Sequence, residues 1–316
     1  MTRGPQRARF CLARDGVVVA RRRDDPILNF HQSALILRKF AANLLVAPIL
    51  LLLSLRLAAF DQKPNDFCAG LAAGYCNMYN LDFEAAHQVF ARWQRLHPQD
   101  PMGPVSDAAA YLFSEFDRLH ILEAEFFTND KNFQNQKQLS PDAQVKQKFD
   151  SQLEQARKLV LDRLSHDGKD ANAMFANILM LALRGDYLAL IEKRNLAGLS
   201  YLKQARTAAE TLLRNNSSYY DAYLAIGVEN YLLSLRAAPV RWLLHMGGAQ
   251  TDKDTGIKNL RITAEKGHYL QPYARLLLAI AALRDQDRNR ARELLQGLSR
   301  QFPNNRLYTR ELAQIR

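Results

Sequence analysis

Two stretches of this chain carry matching residue types at identical intervals, although they lie 205 positions apart. The first is Gly74, Ala86, Phe90 and Pro98; the second is Ala279, Ala291, Leu295 and Pro303. In both, twelve positions separate the two small residues, four lead to the large one and eight more to the proline. Two small residues at that interval let a pair of helices touch backbone to backbone. A large side chain one turn later fills the gap to the next pair, and the proline stops the second helix. A helix pair of this kind cannot bury its apolar face alone, so the frame demands a stack of pairs.

The rest of the sequence fits an all-α chain. Helical period dominates and β-branched alternation is nearly absent. Phe83–Leu96 sets Ala86, Val89, Phe90, Trp93 and Leu96 on one stripe. Further helices are expected over Pro101–Phe127 and about 141–165, 170–192, 196–214, 219–235, 254–266, 271–283 and 287–301. Asn129–Leu139 reads as a polar, glutamine-rich loop, and Ser140-Pro141 as a cap followed by proline at the first helical position. Asp167-Gly168, Asn215-Asn216, Gly247-Gly248 and Pro303-Asn304 punctuate the rest. Looser units fall at about 171–216 and 220–266. With 316 residues, 48% of them hydrophobic, a sizeable core is available, which excludes wholesale disorder. Fourteen Gly and 11 Pro are too few for a collagen-like or many-turned all-β chain, and three Cys cannot be a disulfide framework.

The frame through Gly74, Ala86, Phe90 and Pro98, repeated at Ala279, Ala291, Leu295 and Pro303, resembles the tetratricopeptide repeat. That resemblance implies an α-α solenoid over residues 61–316. The second half resembles one branch more closely, the tetratricopeptide repeat protein 39 / inclusion-body-clearance family and its bacterial look-alikes. The similarity runs through Asp221–Leu235, Pro239–Gly248, Asp252 and Gly256–Leu260. Ser234, Leu235, Pro239, Gly247-Gly248 and Asp252 are retained, while Arg236-Ala237-Ala238 replaces the first part of that family's proline pair. The resemblance implies an insertion inside one repeat unit and an interaction protein without a known catalytic centre.

An export signal is expected ahead of the repeats. Phe40–Leu55 is the most hydrophobic stretch, follows Arg38-Lys39 and ends near Leu57-Ala58-Ala59, which makes Ala59 the candidate cleavage position. The run is shorter than the roughly 20 residues that span a bilayer, and Pro48 interrupts it. A cleaved signal, an uncleaved anchor and a buried helix all fit residues 38–60. Both export readings keep Arg38 and Lys39 inside and put the repeats in the periplasm, or at the outer face of the inner membrane. Residues 1–37 read as a basic, disordered extension, and translation starting near Leu35 or Leu37 is one account of it. Neither a twin-arginine signal nor a lipobox is present, since Cys68 follows Asn65-Asp66-Phe67.

The net charge of +11 is uneven, with nine basic residues against three acids in the first 39 positions. A basic excess over Arg284–Arg316 lacks interleaved aromatic residues, reads as a solvated face, and leaves no nucleic acid expected. Cys68 and Cys76 on one helix would stand about 12 Å apart, too far to bridge, and read as buried small side chains or a reactive thiol. His120 and Glu123 at helical spacing, with Glu115 and Glu125 nearby, are similar to one half of a di-iron helix pair. They form the basis of an alternative, an enzyme with a helix-borne site. A nucleic-acid-binding repeat is the second alternative. Gly247-Gly248 lacks the Gly-Lys of a phosphate loop, and Asp252, Asp254 and Gly256 lack the bidentate Glu of a calcium loop.

No catalytic, metal or cofactor residues are therefore expected. The expectation is a non-catalytic scaffold that binds protein partners, such as an amphipathic helix, in a concave groove; the membrane enters only through an uncleaved N-terminal segment. The first helix of each unit would line that groove, through Cys68, Leu71, Tyr75, Met78 and Tyr79, then Leu224, Val228 and Tyr231, then Tyr273, Leu276 and Ile280. The same residues could instead pack against the chain's own segments.

Overall fold

The computed structural model describes residues 68–123, 140–235, 246 and 248–315, all within the unit Asn65–Arg316. The expected signal over 38–60, with Ala59, and the loop Asn129–Leu139 lie outside the described residues. What is described is all-helical. The helices are α1 (Ala72–Tyr79), α2 (Phe83–Leu96), α3 (Met102–Arg118), α4 (Ala143–His166), α5 (Ala171–Asp186), α6 (Asn195–Asn215), α7 (Tyr223–Ser234), α8 (Lys253–Lys266), α9 (Gln271–Arg284), α10 (Arg288–Gln301) and α11 (Arg306–Gln314). They pair as antiparallel hairpins in chain order, and each hairpin packs on the next.

The repeat seen in the sequence is present in the backbone. Leu81 and Gln286, again 205 positions apart, both adopt φ of 62°. Each is followed by an aspartate cap, Asp82 for α2 and Asp287 for α10, whose side chain accepts the N–H of Ala85 or Arg290. Asp82 N–H donates to Asn77 O, and Asp287 N–H donates to Ala282 O, both at 2.9 Å. The second helices also end alike. His97, Asp167, Asn216 and Phe302 leave α2, α4, α6 and α10 with φ between −146° and −129°. Three residues on, Asp100, Asp170, Tyr219 and Asn305 donate back to them at 3.0–3.2 Å. Short side-chain caps satisfy helix-start N–H groups that would otherwise lack partners, which is why Asp or Asn recurs there.

The packing positions behave as the frame requires. A Cβ on Gly74 would fall inside the Phe90 ring, 2.6 Å from Cζ, and Ala86, Phe90, Ala279, Ala291 and Leu295 are buried. Pro98 and Pro303 are exposed, just past the ends of α2 and α10. The α7–α8 hairpin repeats the device: a Cβ on Gly227 would lie 2.9 Å from Leu260 Cγ, and one on Gly256 2.6 Å from Tyr231 N.

Four local expectations are corrected. The helix expected over Pro101–Phe127 stops at Arg118, because His120 takes φ of 58° and turns the chain so that Ile121 buries fully. The apolar period continued past the stop because Ile121 and Leu122 pack after the turn rather than along the helix. The helix expected over 170–192 is α only to Asp186, then one π turn over Tyr187–Ile191 that sends Tyr187, Leu188 and Ile191 inward. The cap expected at Ser140 falls two positions later, on Asp142, whose side chain accepts the N–H groups of Gln144 and Val145. Finally, Cys68 and Cys76 are disulfide-bonded, with Cα atoms 5.9 Å apart. They are not on one helix: Cys68 sits in a turn ahead of α1, and Gly70 at φ of 57° folds it back.

The stack does not remain open. In an open solenoid each unit touches only its neighbours. Here Tyr79 Oη of the first hairpin donates to Tyr269 O at 2.9 Å, and Asn305 Nδ2 donates to Tyr79 O at 2.8 Å. Arg306 binds both carboxylate oxygens of Asp117, and Arg310 binds Glu123. The rings of Tyr75 and Tyr269 lie 5.0 Å apart, and those of Tyr79 and Phe302 5.3 Å apart. The first hairpin is thus locked to the last.

Candidate functional site

Closure decides the fate of the concave face. Tyr75, Met78, Tyr79, Leu224, Tyr231 and Ile280, all expected to line a groove, are buried in the core. Leu71 is buried too, and Cys68 is half-buried in its disulfide. Val228, Tyr273 and Leu276 are half-buried against that core. The first unit's share of the expected groove is therefore filled by the molecule's own far end, through Tyr269, Phe302 and Asn305, and the other expected residues are buried or half-buried. Tyr75 hydrogen-bonds Ser106 Oγ at 2.8 Å, and burial pushes its hydroxyl well above the usual tyrosine range. Phe175 of α5 stacks on Tyr269 and packs on Tyr219, completing an aromatic plug.

Polar groups inside are tied to structure. Asp221, in a single 3-10 turn before α7, is buried and accepts the N–H groups of His268, Tyr269 and Leu270 at 2.9–3.2 Å. It thereby caps the start of α9 from another hairpin. Burial holds its carboxyl above the usual range despite those donors. Glu229, fully buried, accepts Arg206 Nε at 2.7 Å and the N–H of Gln250 at 3.2 Å. Arg206 also binds Glu210, Gln250 bridges Glu210 to Asn230, and Asn230 accepts the N–H of Asp252. This network anchors the chain ahead of α8, and Asp252 then caps α8 through the N–H groups of Asp254 and Thr255. Its members are scattered over 46 positions, with no spacing to reveal them; only Asp252 stood out in the sequence.

The alternative site also changes. His120 and Glu123 are not helix-borne but lie in the turn after α3, 3.1 Å apart, and His120 is exposed. Glu123 also binds Arg310, and Glu115 serves as a buried anchor, accepting Arg118 and the N–H of Asp142. Among the described residues no three His, Cys, Asp or Glu side chains gather as metal ligands. One pair was not anticipated: His87 of α2 meets Asp107 of α3 at 2.5 Å, with its ring on Tyr111. On the basic C-terminal segment, Arg290 pairs with Glu293, Arg292 donates to Ile315 O, and Arg306 and Arg310 are spent on closure.

What stays open lies on another face. Leu164 at the end of α4, Met174, Asn177 and Leu181 of α5, and Leu196, Leu199 and Thr207 of α6 border a groove of about 800 Å³. Leu196 at its edge is 85% exposed, the highest value of any large hydrophobic side chain among the described residues. Thr207 and Thr211 donate their hydroxyls to the α6 carbonyls of Lys203 and Thr207 at 3.0 Å, which satisfies them without a ligand. The lining is thus mainly apolar and amide-bearing, with Lys203 its one charged residue. The stretch Ala171–Ile191 is long and apolar enough to cross a membrane, but half of it is buried by its neighbours, as in the core helix of a folded unit.

Comparison with protein-family models, with curated proteins and with solved structures finds no match.

Proposed function

We propose that the chain is an exported, non-catalytic scaffold of tetratricopeptide type, which docks an amphipathic helix of a partner protein in the α4–α5–α6 groove. The observation that carries this reading is the groove itself: an apolar trough of about 800 Å³ on an outer face, flanked by an exposed Leu196. Apolar surface gathered in a concavity favours a ligand that buries it, and helices present leucine-sized side chains at the interval at which Met174, Asn177 and Leu181 recur. The concave face is not the docking surface in this reading, because Tyr75, Tyr79 and Tyr269 fill it. The Cys68–Cys76 disulfide supports export, since such bonds persist in oxidising compartments and are rare in the cytosol. The hydrophobic stretch over 38–60 supplies the matching signal or anchor.

The test is site-specific photocrosslinking in native cells, with the photoreactive residue at Leu196 or Gln204 and, as control, at the exposed Arg300 of α10. One partner captured from both groove positions and not from Arg300 is the expected result. Equal capture at all three, or none, overturns the docking surface. Fractionation with thiols trapped tests export separately, and a cytosolic protein with reduced Cys68 and Cys76 would refute that half.

A further inference from the structure

The helix through which the array closes is poorly equipped to hold itself. α1 has eight residues, and a helix that short is marginal on its own in water. Its start carries no side-chain cap, in contrast to the aspartates that open α2, α4, α5, α8 and α10. Yet this helix supplies Tyr75 and Tyr79, which meet Tyr269, Phe302 and Asn305 at the far end of the chain.

The Cys68–Cys76 disulfide stands in place of the missing cap. Cys76 lies on α1 between the two tyrosines, one residue after Tyr75 and three before Tyr79. Its bond to Cys68 fixes the turn over 68–71, in which the carbonyls of Ala69 and Gly70 accept the N–H groups of Ala72 and Ala73 at 3.1 and 3.3 Å. That turn lies at the surface: Ala69 and Gly70 are exposed, and a Cβ on Gly70 would meet the Trp93 ring at 3.3 Å. Cys68 is half-buried whereas Cys76 is 6% exposed, so the bond is reached from the Cys68 side. A disulfide between residues eight positions apart restrains the unfolded chain less than one that closes a long loop. What it adds is local, because it fixes the start of the one helix that the far end clasps.

We propose that Cys68–Cys76 is a thiol–disulfide exchange site for a dithiol, and that its reduction releases α1 and opens the closure. One thiolate of the dithiol attacks Cys68 Sγ, the electron pair of the S–S bond leaves on Cys76 Sγ, and that sulfur takes up a proton. The second thiolate of the dithiol then attacks its own sulfur in the mixed disulfide and frees Cys68. The protein has gained two electrons and two protons, and the dithiol leaves as its disulfide. α1 is then both uncapped and untethered, and Tyr75 and Tyr79 lose their hold on the ring and carbonyl of Tyr269. Exchange in reverse with a small disulfide closes the array again. The site is separate from the outer groove and does not depend on what docks there.

The experiment is hydrogen exchange of the full folded chain, oxidised and after dithiothreitol at pH 8 without denaturant, with alkylation of Cys68 and Cys76 read by mass spectrometry. Both cysteines are expected to alkylate after reduction of the folded protein. Exchange should accelerate in α1 and α11 at least about tenfold more than in α5 and α6, and oxidised glutathione should restore the original rates. The double variant Cys68→Ser, Cys76→Ala should show the fast pattern with or without dithiothreitol. A disulfide that dithiothreitol reduces only once the chain is unfolded overturns the exchange site. Acceleration confined to α1, or equal in every helix, overturns the release of the closure. Should the double variant not fold, the reduced and reoxidised wild type decide alone.

Discussion

The hydroxyl of Tyr79 donates to the carbonyl oxygen of Tyr269 at 2.9 Å, across 190 positions of sequence. Tyr79 O in turn accepts Asn305 Nδ2, so a single residue of α1 is clasped by the last two hairpins through both its side chain and its backbone. The closure of the array rests on this clasp and on the ring contacts around it.

Tyr79→Phe keeps the ring and deletes the donor, leaving the Tyr269 carbonyl short of a partner. A loss of about 1–2 kcal/mol is expected in denaturant unfolding. Asn305→Ala should cost at least as much, because Asn305 also caps α11 through the N–H of Leu307. If the array were open, Tyr79→Phe would be neutral and Asn305→Ala would cost only the α11 cap.

Reduction of Cys68–Cys76 should destabilise the unit by roughly 2–3 kcal/mol, the entropy of a short closed loop. The same loss is expected for Cys68→Ser with Cys76→Ala. Thiol titration of the unfolded, unreduced protein should find neither cysteine reactive.

Glycines should divide by their surroundings. Gly256→Ala would press a Cβ to 2.6 Å from the backbone N of Tyr231, and Gly74→Leu would invade the Phe90 ring, so each is expected to lose roughly 1–3 kcal/mol. Gly297 of α10 has nothing within 4 Å of its would-be Cβ, and Gly297→Ala should gain about 0.5–1 kcal/mol from helix propensity. Melting temperatures of the three variants test the frame directly.

The pH dependence of stability carries a signature of Asp186. Burial raises its carboxyl to about 7 in the folded chain, whereas an unfolded chain releases that proton near 4. Between those values the folded state binds more protons, so this group's contribution falls as pH rises from about 4 to about 7 and is then constant, by up to about 4 kcal/mol. The cap carboxylates act with the opposite sign: the N–H groups of Val145 and Gln144 hold Asp142 low, and the hydroxyl and N–H of Thr255 hold Asp252 low, so their contribution is lost in acid. Asp186→Asn isolates the first effect. The variant should gain on the wild type as pH rises through that window, and parallel stability curves would contradict the burial of a charge there.

Much of the architecture was legible because it is written locally. Gly74, Phe90 and Pro98 report a helix crossing and a stop within a few turns of chain, and the start of α4 was placed to within two residues, with Asp142 rather than Ser140 as its cap. Closure has no such local sign. Nothing near Tyr79 indicates Tyr269 or Asn305, and the residues expected to line a groove look the same whether solvent or the far end of the chain covers them. The disulfide was missed for a different reason: one left-handed residue, Gly70, moved Cys68 off the helix on which its distance from Cys76 was reckoned. Asp186 has no sign in the sequence because an acid near a helix end normally faces water, and only its burial makes this one exceptional.

The clasp also orders events in time. Tyr79 cannot reach its acceptor until 190 more residues have been synthesised, and Asn305 follows 36 positions after that acceptor. Early hairpins can nucleate locally, but α1 must wait with Tyr75 and Tyr79 uncovered until Tyr269 and Asn305 have been made. Non-local contacts of this kind slow folding, and the waiting aromatic face is where a chaperone would hold the growing chain or where two unfinished chains would join.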